Sequence, residues 1–262
     1  MLLLKSSIFY FKVPIMQSLY SNGFENIYDD MYQTFIDYKD EFEFYSTIIK
    51  EHLKKDVLEI GCGSGHLAKH FINSSVSYYG MDLSDDMVQL SKKRNPSGTF
   101  YKGDMTNFTL NQTFDAIIIT ARTTSYLLSN KAIHNSIQNI KNHLNEKGIF
   151  CFDFIDANRF FPIIKDGKTI IHEAEIQNKL YSRTSFMKPT IEKENFMFQW
   201  NATYYKIEEE KKILLTEDQS EVRAFTKNEW QLFLELNNFE VVNIIDRKSY
   251  AFDTYVVVAQ KK

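Results

Sequence analysis

The segment from Val57 to Gly65 constrains the fold of this chain more than any other, with the sequence Val-Leu-Glu-Ile-Gly-Cys-Gly-Ser-Gly. A short apolar run that ends in glycines at alternate positions predicts a β-strand, a tight turn and the start of a helix. Such a turn presents backbone N–H groups and the positive end of a helix dipole to a polar ligand. Because glycine has no side chain, the ligand can approach the backbone closely. We therefore expect a ligand site at this turn.

The spacing of the glycines separates several classes of nucleotide site. Here they alternate directly and His66 follows, whereas a dinucleotide fingerprint reads G-x-G-x-x-G and a P-loop needs a Lys after its last glycine. Glu59 lies two residues before the first glycine, near the end of the predicted strand. Asp82 ends the next predicted strand, where an acid can accept hydrogen bonds from both ribose hydroxyls of a nucleoside. A dehydrogenase places an acid there as well, so Asp82 alone does not separate these classes.

The whole composition predicts a globular protein with one large domain, or one domain with an insertion, in 262 residues. The net charge of −3 and the lack of a dense Lys/Arg run disfavour nucleic acid as a partner. Two cysteines, Cys62 and Cys151, indicate reduced thiols rather than a disulfide framework. His66 and His70 stand four residues apart on a predicted helix, but without a third ligand they predict no metal site.

The first sixteen residues are apolar and aromatic, and Lys5 and Lys12 interrupt them. No signal-peptide cleavage site follows, so the segment predicts neither a signal peptide nor a membrane span. Met16 is an alternative to Met1 as the native start. We expect a cytoplasmic protein that does not associate with membranes and is a monomer or a homodimer.

Strands and helices alternate from residue 40 onward, which predicts a parallel sheet with helices on both faces. The predicted strands cover residues 56–61, 78–82, 99–102, 114–120 and 149–153, and the predicted helices cover residues 41–54, 64–73, 85–94 and 130–145. From residue 168 the pattern changes to antiparallel strands, predicted at residues 170–172, 180–186, 196–205 and 212–216. A helix over 227–236, with Thr226 as its N-cap, precedes two strands at 239–246 and 255–260.

The order and spacing of these motifs resemble the class I S-adenosylmethionine (SAM)-dependent methyltransferases. The matching segments are Glu59 to Gly65, Asp82-Leu83-Ser84, Gly103-Asp104-Met105, Phe114-Asp115-Ala116 and Gly148-Ile149. Near the N-terminus, Tyr28-Asp29-Asp30-Met31-Tyr32 is similar to a segment that folds over the cofactor in many small-molecule methyltransferases. With the β-rich insertion after strand five, the layout is similar to the sugar-amine N-methyltransferases of antibiotic biosynthesis.

The resemblance implies an α/β fold with a Rossmann-like, doubly wound, seven-stranded sheet whose last strand is antiparallel. A small antiparallel β insertion would follow strand five. Residues 41–155 and 220–262 would form the SAM-binding domain, and residues 1–40 would form an N-terminal segment and cofactor lid. Residues 156–219 would form the insertion, which we expect to bind the methyl acceptor.

The resemblance also implies which residues bind SAM, and S-adenosylhomocysteine (SAH) as its product. In this family an acid at the position of Asp104 accepts a hydrogen bond from the adenine amino group. The expected cofactor-binding residues are Tyr28, Glu59, Gly61, Cys62, Gly63, Gly65, Asp82, Leu83, Met87, Gly103, Asp104, Met105 and Thr120.

The chemistry of SAM explains why no catalytic triad is expected. Its sulfonium is already a methyl donor, so the protein mainly supplies orientation and desolvation. Tyr32, from the lid, and Arg122, after the fourth strand, are the candidates beside the reacting atoms. An arginine there can hold a carboxylate or phosphate of the substrate, although a solvated or ion-paired arginine fits the sequence equally well. The candidates for the acceptor pocket are Tyr126, Arg183, Trp200 and Tyr204.

Three functions remain open from the sequence. The leading one is transfer of a methyl group from SAM to an N or O atom of a small molecule by in-line displacement. The second is a catalytically inactive SAM-binding protein that acts as a regulatory or partner subunit. The third is an NAD-dependent oxidoreductase, against which the glycine spacing and Gly103-Asp104 count. The chain lacks the [N/D/S]-P-P-[Y/F/W] stretch of nucleobase amine methyltransferases after strand four.

Overall fold

The computed structural model describes residues 24–190, 195–250 and 252–262. The alternative start at Met16 and most of the expected N-terminal segment lie outside these residues. Among the described residues, no helix is long and apolar enough to cross a membrane. The helices are α1 (Phe24–Tyr32), α2 (Tyr38–Glu51), α3 (His66–Ile72), α4 (Asp85–Arg94), α5 (Asn130–Asn142), α6 (Ala157–Ile164) and α7 (Lys227–Leu236).

Eleven strands of the described chain form two sheets. They are β1 (Asp56–Ile60), β2 (Ser77–Asp82), β3 (Thr99–Lys102), β4 (Phe114–Ile119), β5 (Leu144–Phe154), β6 (Lys168–Ile176), β7 (Lys179–Pro189), β8 (Met197–Glu208), β9 (Lys211–Arg223), β10 (Phe239–Arg247) and β11 (Thr254–Lys261). The first sheet has seven strands in the order β10-β11-β5-β4-β1-β2-β3, and the second has four in the order β6-β7-β8-β9. In the first sheet β11 is antiparallel to both of its neighbours, while β1 to β5 pair in parallel. The predicted fold class is therefore confirmed.

The central strand β4 is apolar at consecutive positions because both of its faces are covered. Ile117 and Ile119 pack into the hydrophobic cluster that includes Trp230 of α7. Ala116 and Ile118 point the other way, into the cluster that includes Phe71 of α3. The sheet thus separates two layers of helices, and the carboxyl ends of β1, β2 and β4 emerge at one edge.

The second sheet is antiparallel throughout, and tight turns join β6 to β7 and β8 to β9. Gln177 and Asn178 have φ values of 51° and 62° between β6 and β7, and Glu209 and Glu210 have values of 47° and 63° between β8 and β9. Positive φ at both central residues gives the turn a twist that matches the flanking strands. Strand β9 continues to Arg223, so it runs through the expected domain boundary at residue 219.

Candidate functional site

One cavity of about 1480 Å³ lies between the carboxyl ends of the first sheet's strands, helix α1 and the second sheet. Its described lining contains every predicted cofactor-binding residue except Gly65. It also contains four of the predicted catalytic and acceptor-binding residues besides Tyr32, namely Arg122, Tyr126, Arg183 and Trp200, whereas Tyr204 is absent from the described lining. The fold therefore brings together side chains that stand far apart in the sequence.

The glycine turn after β1 has a left-handed backbone at each glycine, with φ values of 78°, 54° and 81° at Gly61, Gly63 and Gly65. A Cβ on Gly61 would lie 2.7 Å from Thr123 Cγ2, and a Cβ on Gly65 would lie 2.8 Å from Asn95 Nδ2. A Cβ on Gly63 would meet nothing within 4 Å. Gly61 and Gly65 are thus required by the packing of neighbouring protein atoms, whereas Gly63 borders unfilled space.

Asp82, at the end of β2, is tied to this turn. One of its carboxylate oxygens accepts a hydrogen bond from the Gly63 N–H at 2.9 Å, and the other accepts one from the Ser84 N–H at 2.9 Å. Burial raises the pKa of Asp82, and these backbone donors oppose the rise. Next to it, Leu83 is exposed and Met87 is buried, and both line the cavity. The carboxylate therefore fixes the turn and still borders the cavity.

Glu59 is almost fully buried at the end of β1, beside the turn. The Tyr78 hydroxyl donates to one of its carboxylate oxygens, and the Thr120 hydroxyl donates to the other at 3.0 Å. Burial raises the pKa of Glu59 to about 7, against the effect of these two donors. Cys62, inside the turn, is buried as a free thiol, and burial raises its pKa as well. Burial thus favours the uncharged form of both side chains.

The loop after β3 contributes a second acid to the cavity. The Gly103 N–H donates to the backbone carbonyl of Asp82 at 2.9 Å, which links the ends of β2 and β3. Asp104 accepts hydrogen bonds from the backbone N–H and the hydroxyl of Thr106, each at 2.8 Å and both to Oδ1. Met105 follows and packs partly buried against the core. Asp82 and Asp104 thus stand at the ends of neighbouring strands, as the sequence predicted.

Helix α1 covers the cavity and is anchored by a carboxylate to which the sequence reasoning gave no role. Asp29 is 6% exposed and accepts hydrogen bonds from the Ser64 hydroxyl and, at 2.6 Å, from Arg94 Nη2. His66 Nε2 lies 3.0 Å from its Oδ1. Burial raises the pKa of Asp29, but these hydrogen bonds and the nearby charges outweigh burial and lower it overall. The motif around Tyr28 indicated that this segment covers the cofactor, but it did not indicate the contacts of Asp29 that hold α1 in place.

The far end of α1 contacts the second sheet. Tyr28 and Tyr32 stack with their ring centroids 4.2 Å apart, and the Tyr32 hydroxyl accepts a hydrogen bond from Arg183 Nη1 at 2.8 Å. The Arg183 guanidinium also lies 5.9 Å from the ring centroid of Trp200 and 5.6 Å from that of Tyr204. Tyr204 is fully buried, so it supports Arg183 from behind. The rings of Tyr32, Trp200 and Tyr204 thus surround the Arg183 cation.

The sequence predicted that Arg122 could bind an anionic group of the acceptor, and in the structure its side chain contacts other parts of the protein. It is 6% exposed, and its guanidinium donates to the Ser249 hydroxyl at 3.2 Å and to the backbone carbonyls of Tyr250 and Phe252. It also stacks on the Tyr250 and Phe252 rings, 4.2 and 4.3 Å from their centroids. Asp153 accepts its backbone N–H at 2.8 Å. The side chain therefore fastens the loop between β10 and β11 to the rim of the cavity.

The remaining predicted pocket residue, Tyr126, ends a short 3₁₀ helix, Thr123–Tyr126, and lines the cavity. Within residues 24–190, 195–250 and 252–262, no three His, Cys, Asp or Glu side chains cluster in a way that could hold a metal ion. The site thus consists of backbone donors, acids at strand ends and an aromatic, cation-containing wall.

Comparison with known proteins finds similarity to methyltransferases over part of the chain. A family model described as a methyltransferase domain matches residues 57–148. A dTDP-3-amino-3,6-dideoxy-alpha-D-glucopyranose N,N-dimethyltransferase of Streptomyces fradiae is 26% identical over 136 residues, covering 51% of this chain and 53% of that one. A dTDP-3-amino-3,4,6-trideoxy-alpha-D-glucopyranose N,N-dimethyltransferase of Streptomyces venezuelae is 26% identical over 122 residues, covering 44% and 52%. The matches span about half the length of these curated relatives.

Solved structures share the whole architecture. The Streptomyces venezuelae protein DesVI aligns with a TM-score of 0.77 at 18% identity, over 90% of this chain and 98% of that one. CalS10, a SAM-bound amino pentose methyltransferase from Micromonospora echinaspora, aligns with a TM-score of 0.74 at 17% identity, over 90% and 97%. At identities below 20% these alignments show a shared fold only. The family model separately shows similarity to a methyltransferase domain over residues 57–148. Residues 57–148 are thus similar to a methyltransferase domain, and the fold of the chain is that of these solved methyltransferases.

Proposed function

We propose that this protein transfers a methyl group from SAM to the amine nitrogen of a small, sugar-like acceptor by in-line displacement. The observation that carries the proposal is the continuous cavity, which runs from the glycine turn to the inner face of the second sheet. Its volume leaves room for an acceptor beside the cofactor. The two curated relatives are named for N-methylation of amino sugars carried on a nucleotide, which supports the amine as the methylated group.

The residues at the strand ends fit SAM. The N–H groups at the start of α3 suit an anionic group such as the carboxylate of the methionine portion. Asp82 suits the ribose hydroxyls, and Asp104 suits the adenine amino group. SAM supplies the electrophilic methyl group. The protein holds the donor and the acceptor in line and excludes water beneath α1, where Tyr28 and Tyr32 stack.

The amine must lose a proton during transfer, and several groups border the space where it would react. Tyr32 and Arg183 are hydrogen-bonded to each other, so in our proposal they orient the acceptor. Arg122 shapes the rim through its loop contacts. A chain of water can remove the proton from an amine nucleophile, so the reaction requires no dedicated base.

Calorimetry and methyl transfer test the proposal together. We expect SAM, and not NAD, to bind the purified protein. We also expect labelled SAM to transfer its methyl group to the 3-amino sugar nucleotide named for the S. fradiae relative, and not to the matching 3-hydroxy sugar nucleotide. Binding of NAD without SAM would support an oxidoreductase. SAM binding without transfer to any acceptor in a panel of amines and alcohols would support a regulatory SAM-binding protein.

A further inference from the structure

The inner face of the second sheet presents a polar row to the cavity. Ser185 of β7, Ser220 and Asp218 of β9, and Trp200 of β8 all line it. In the register of the sheet, Ala202 stands between Ser185 and Asp218, and Trp200 stands opposite Ser220. The small Ala202 side chain is buried, so the polar groups on either side rise above it. The row forms a shallow polar hollow next to an indole ring.

Asp218 is the acid in this row whose presence neither the fold nor the cofactor site explains. The other acids in the described lining of the cavity belong to α1, α2, α4, the first sheet or the loops after its strands. They are Asp29, Glu41, Glu59, Asp82, Asp85, Asp86 and Asp104. Asp218 is therefore the one acid that the second sheet contributes to the described lining. It is 9% exposed and receives a hydrogen bond from the Ser220 hydroxyl at 2.9 Å.

A carboxylate in this position is unfavourable without further donors. Burial raises the pKa of Asp218, and the Ser220 hydroxyl, the charge of Arg183 and the Gln219 backbone N–H only partly oppose the rise. Carboxylates have about four acceptor positions, and these two neutral donors, the Ser220 hydroxyl and the Gln219 N–H, satisfy two of them. Burying a polar group with unsatisfied hydrogen-bonding capacity has a substantial free-energy cost. A ligand with N–H or O–H groups would supply the missing donors from the cavity.

We propose that Asp218 is the residue that positions the methyl acceptor, by accepting a hydrogen bond from an N–H or O–H group of its ring. Ser220 orients the carboxylate, Ser185 offers a second polar contact across Ala202, and Trp200 packs against the apolar face of the ring. The proposal rests on the proposed function, because it names the group that selects the acceptor. Specificity for a donor-rich, ring-shaped molecule then comes from the second sheet rather than from the methyltransferase domain.

The test uses a matched pair of variants on the same strand. Asp218→Asn removes the charge without changing the shape, whereas Glu217→Gln makes the equivalent change at an exposed position on the opposite face of β9. The probes are dTDP-3-amino-3,6-dideoxy-alpha-D-glucopyranose and its 3-hydroxy counterpart, dTDP-6-deoxy-alpha-D-glucopyranose. Each is titrated into the SAH-loaded protein by calorimetry, and steady-state kinetics are measured with the amino probe. Thermal unfolding checks that both variants are folded, and Ser220→Ala serves as a second, milder variant.

We expect Asp218→Asn to weaken probe binding about tenfold or more and to raise KM for the acceptor more than it lowers kcat. Asp218→Asn should bind SAM with wild-type affinity, and Glu217→Gln should bind the probes and turn over the acceptor like the wild type. A loss confined to the amino probe identifies an N–H contact, and an equal loss for both probes identifies an O–H contact. The proposed role of Asp218 is wrong if Asp218→Asn binds the probes as tightly as the wild type does, or if the wild type binds neither probe. In the second case, methyl transfer to another acceptor would still support the proposed function. Failure to bind SAM would refute the proposed function itself.

Discussion

Replacing Gly63 by alanine separates the ligand-facing role of the glycine turn from its structural role. At a φ of 54°, a residue with a Cβ costs about 1–2 kcal/mol relative to glycine, and a less flexible unfolded chain offsets up to about 1 kcal/mol. The added methyl group meets no atom of the protein within 4 Å. We therefore expect a net loss of about 1 kcal/mol, or about 2–4 °C in Tm, and a loss of SAM affinity of at least about tenfold. Thermal unfolding and calorimetry with SAM measure the two effects.

Two further glycines provide the controls. Gly65→Ala has a similar backbone strain, at a φ of 81°, and its added Cβ would also lie 2.8 Å from Asn95 and 3.1 Å from the Cα of Ser91. This variant should therefore be less stable than Gly63→Ala. Gly167→Ala places backbone strain, at a φ of 88°, in the turn before β6, where the added Cβ also lies 2.8 Å from the Phe186 ring. It should lower stability and leave SAM binding intact. A Gly63→Ala protein that binds SAM as tightly as the wild type would refute the close approach inferred here.

Three other sites give predictions of different kinds. Asp82→Ala and Asp104→Ala should each weaken SAM binding about tenfold or more in calorimetry, because a hydrogen bond to a charged group contributes about 1.5–3 kcal/mol. Glu59 has its pKa raised from 4.5 to about 7, so its stabilising contribution is complete below pH 4.5 and is lost as the pH rises through 7. Relative to Glu59→Gln, wild-type stability should fall across this window, by up to about 3 kcal/mol in denaturant unfolding. Arg122→Met should lower stability by about 2 kcal/mol, because it leaves the part-buried carbonyls of Tyr250 and Phe252 without this donor.

The outcomes that contradict these predictions are distinct. Unchanged SAM affinity in both aspartate variants would overturn the assignment of the strand-end acids. A stability difference between wild type and Glu59→Gln that stays constant from pH 5 to pH 8 would mean that Glu59 titrates normally in the folded protein. An Arg122→Met variant that is as stable as the wild type but fails to bind the acceptor would support the acceptor-binding role that the sequence predicted for Arg122.

The sequence predicted the first sheet closely because its strands are apolar on both faces and end at glycines or acids. The strand at 99–102 has the predicted limits, and the capping box between Thr226 and Glu229 is present. Strand β5 begins at Leu144, earlier than predicted, where helix α5 had been extended too far. Inside β5, Lys147 has a left-handed backbone with a φ of 57°, and a lysine gives no sequence signal for such an irregularity.

The second sheet was predicted in position but not in extent. Strand β6 covers nine residues where the pattern indicated three, because Lys168, Glu173 and Glu175 are residue types that strands disfavour. The turns at Gln177-Asn178 and Glu209-Glu210 contain no glycine, so the sequence did not mark them. Helix α6 was missed because it is short and contains Pro162, which disfavours a helix interior.

The site divides in the same way. Residues that follow strands in chain order, such as Asp82 and Asp104, could be placed from their spacing. The partners of Asp29 and Arg122 could not, because Arg94 and Tyr250 stand 65 and 128 residues away from them. Contacts of this kind depend on how the helices and loops pack, and no local pattern in the sequence records them.

Helix α1 and the residues just after it contact the two halves of the cavity at once. Asp29 binds the glycine turn through Ser64, while Tyr32 bonds to Arg183 of the second sheet. Displacing this short segment therefore breaks contacts on the donor side and the acceptor side in a single step. Under the proposed function, release of SAH and exchange of the acceptor would depend on the same displacement, and a substitution on either side of the cavity would alter the exchange rate of both ligands.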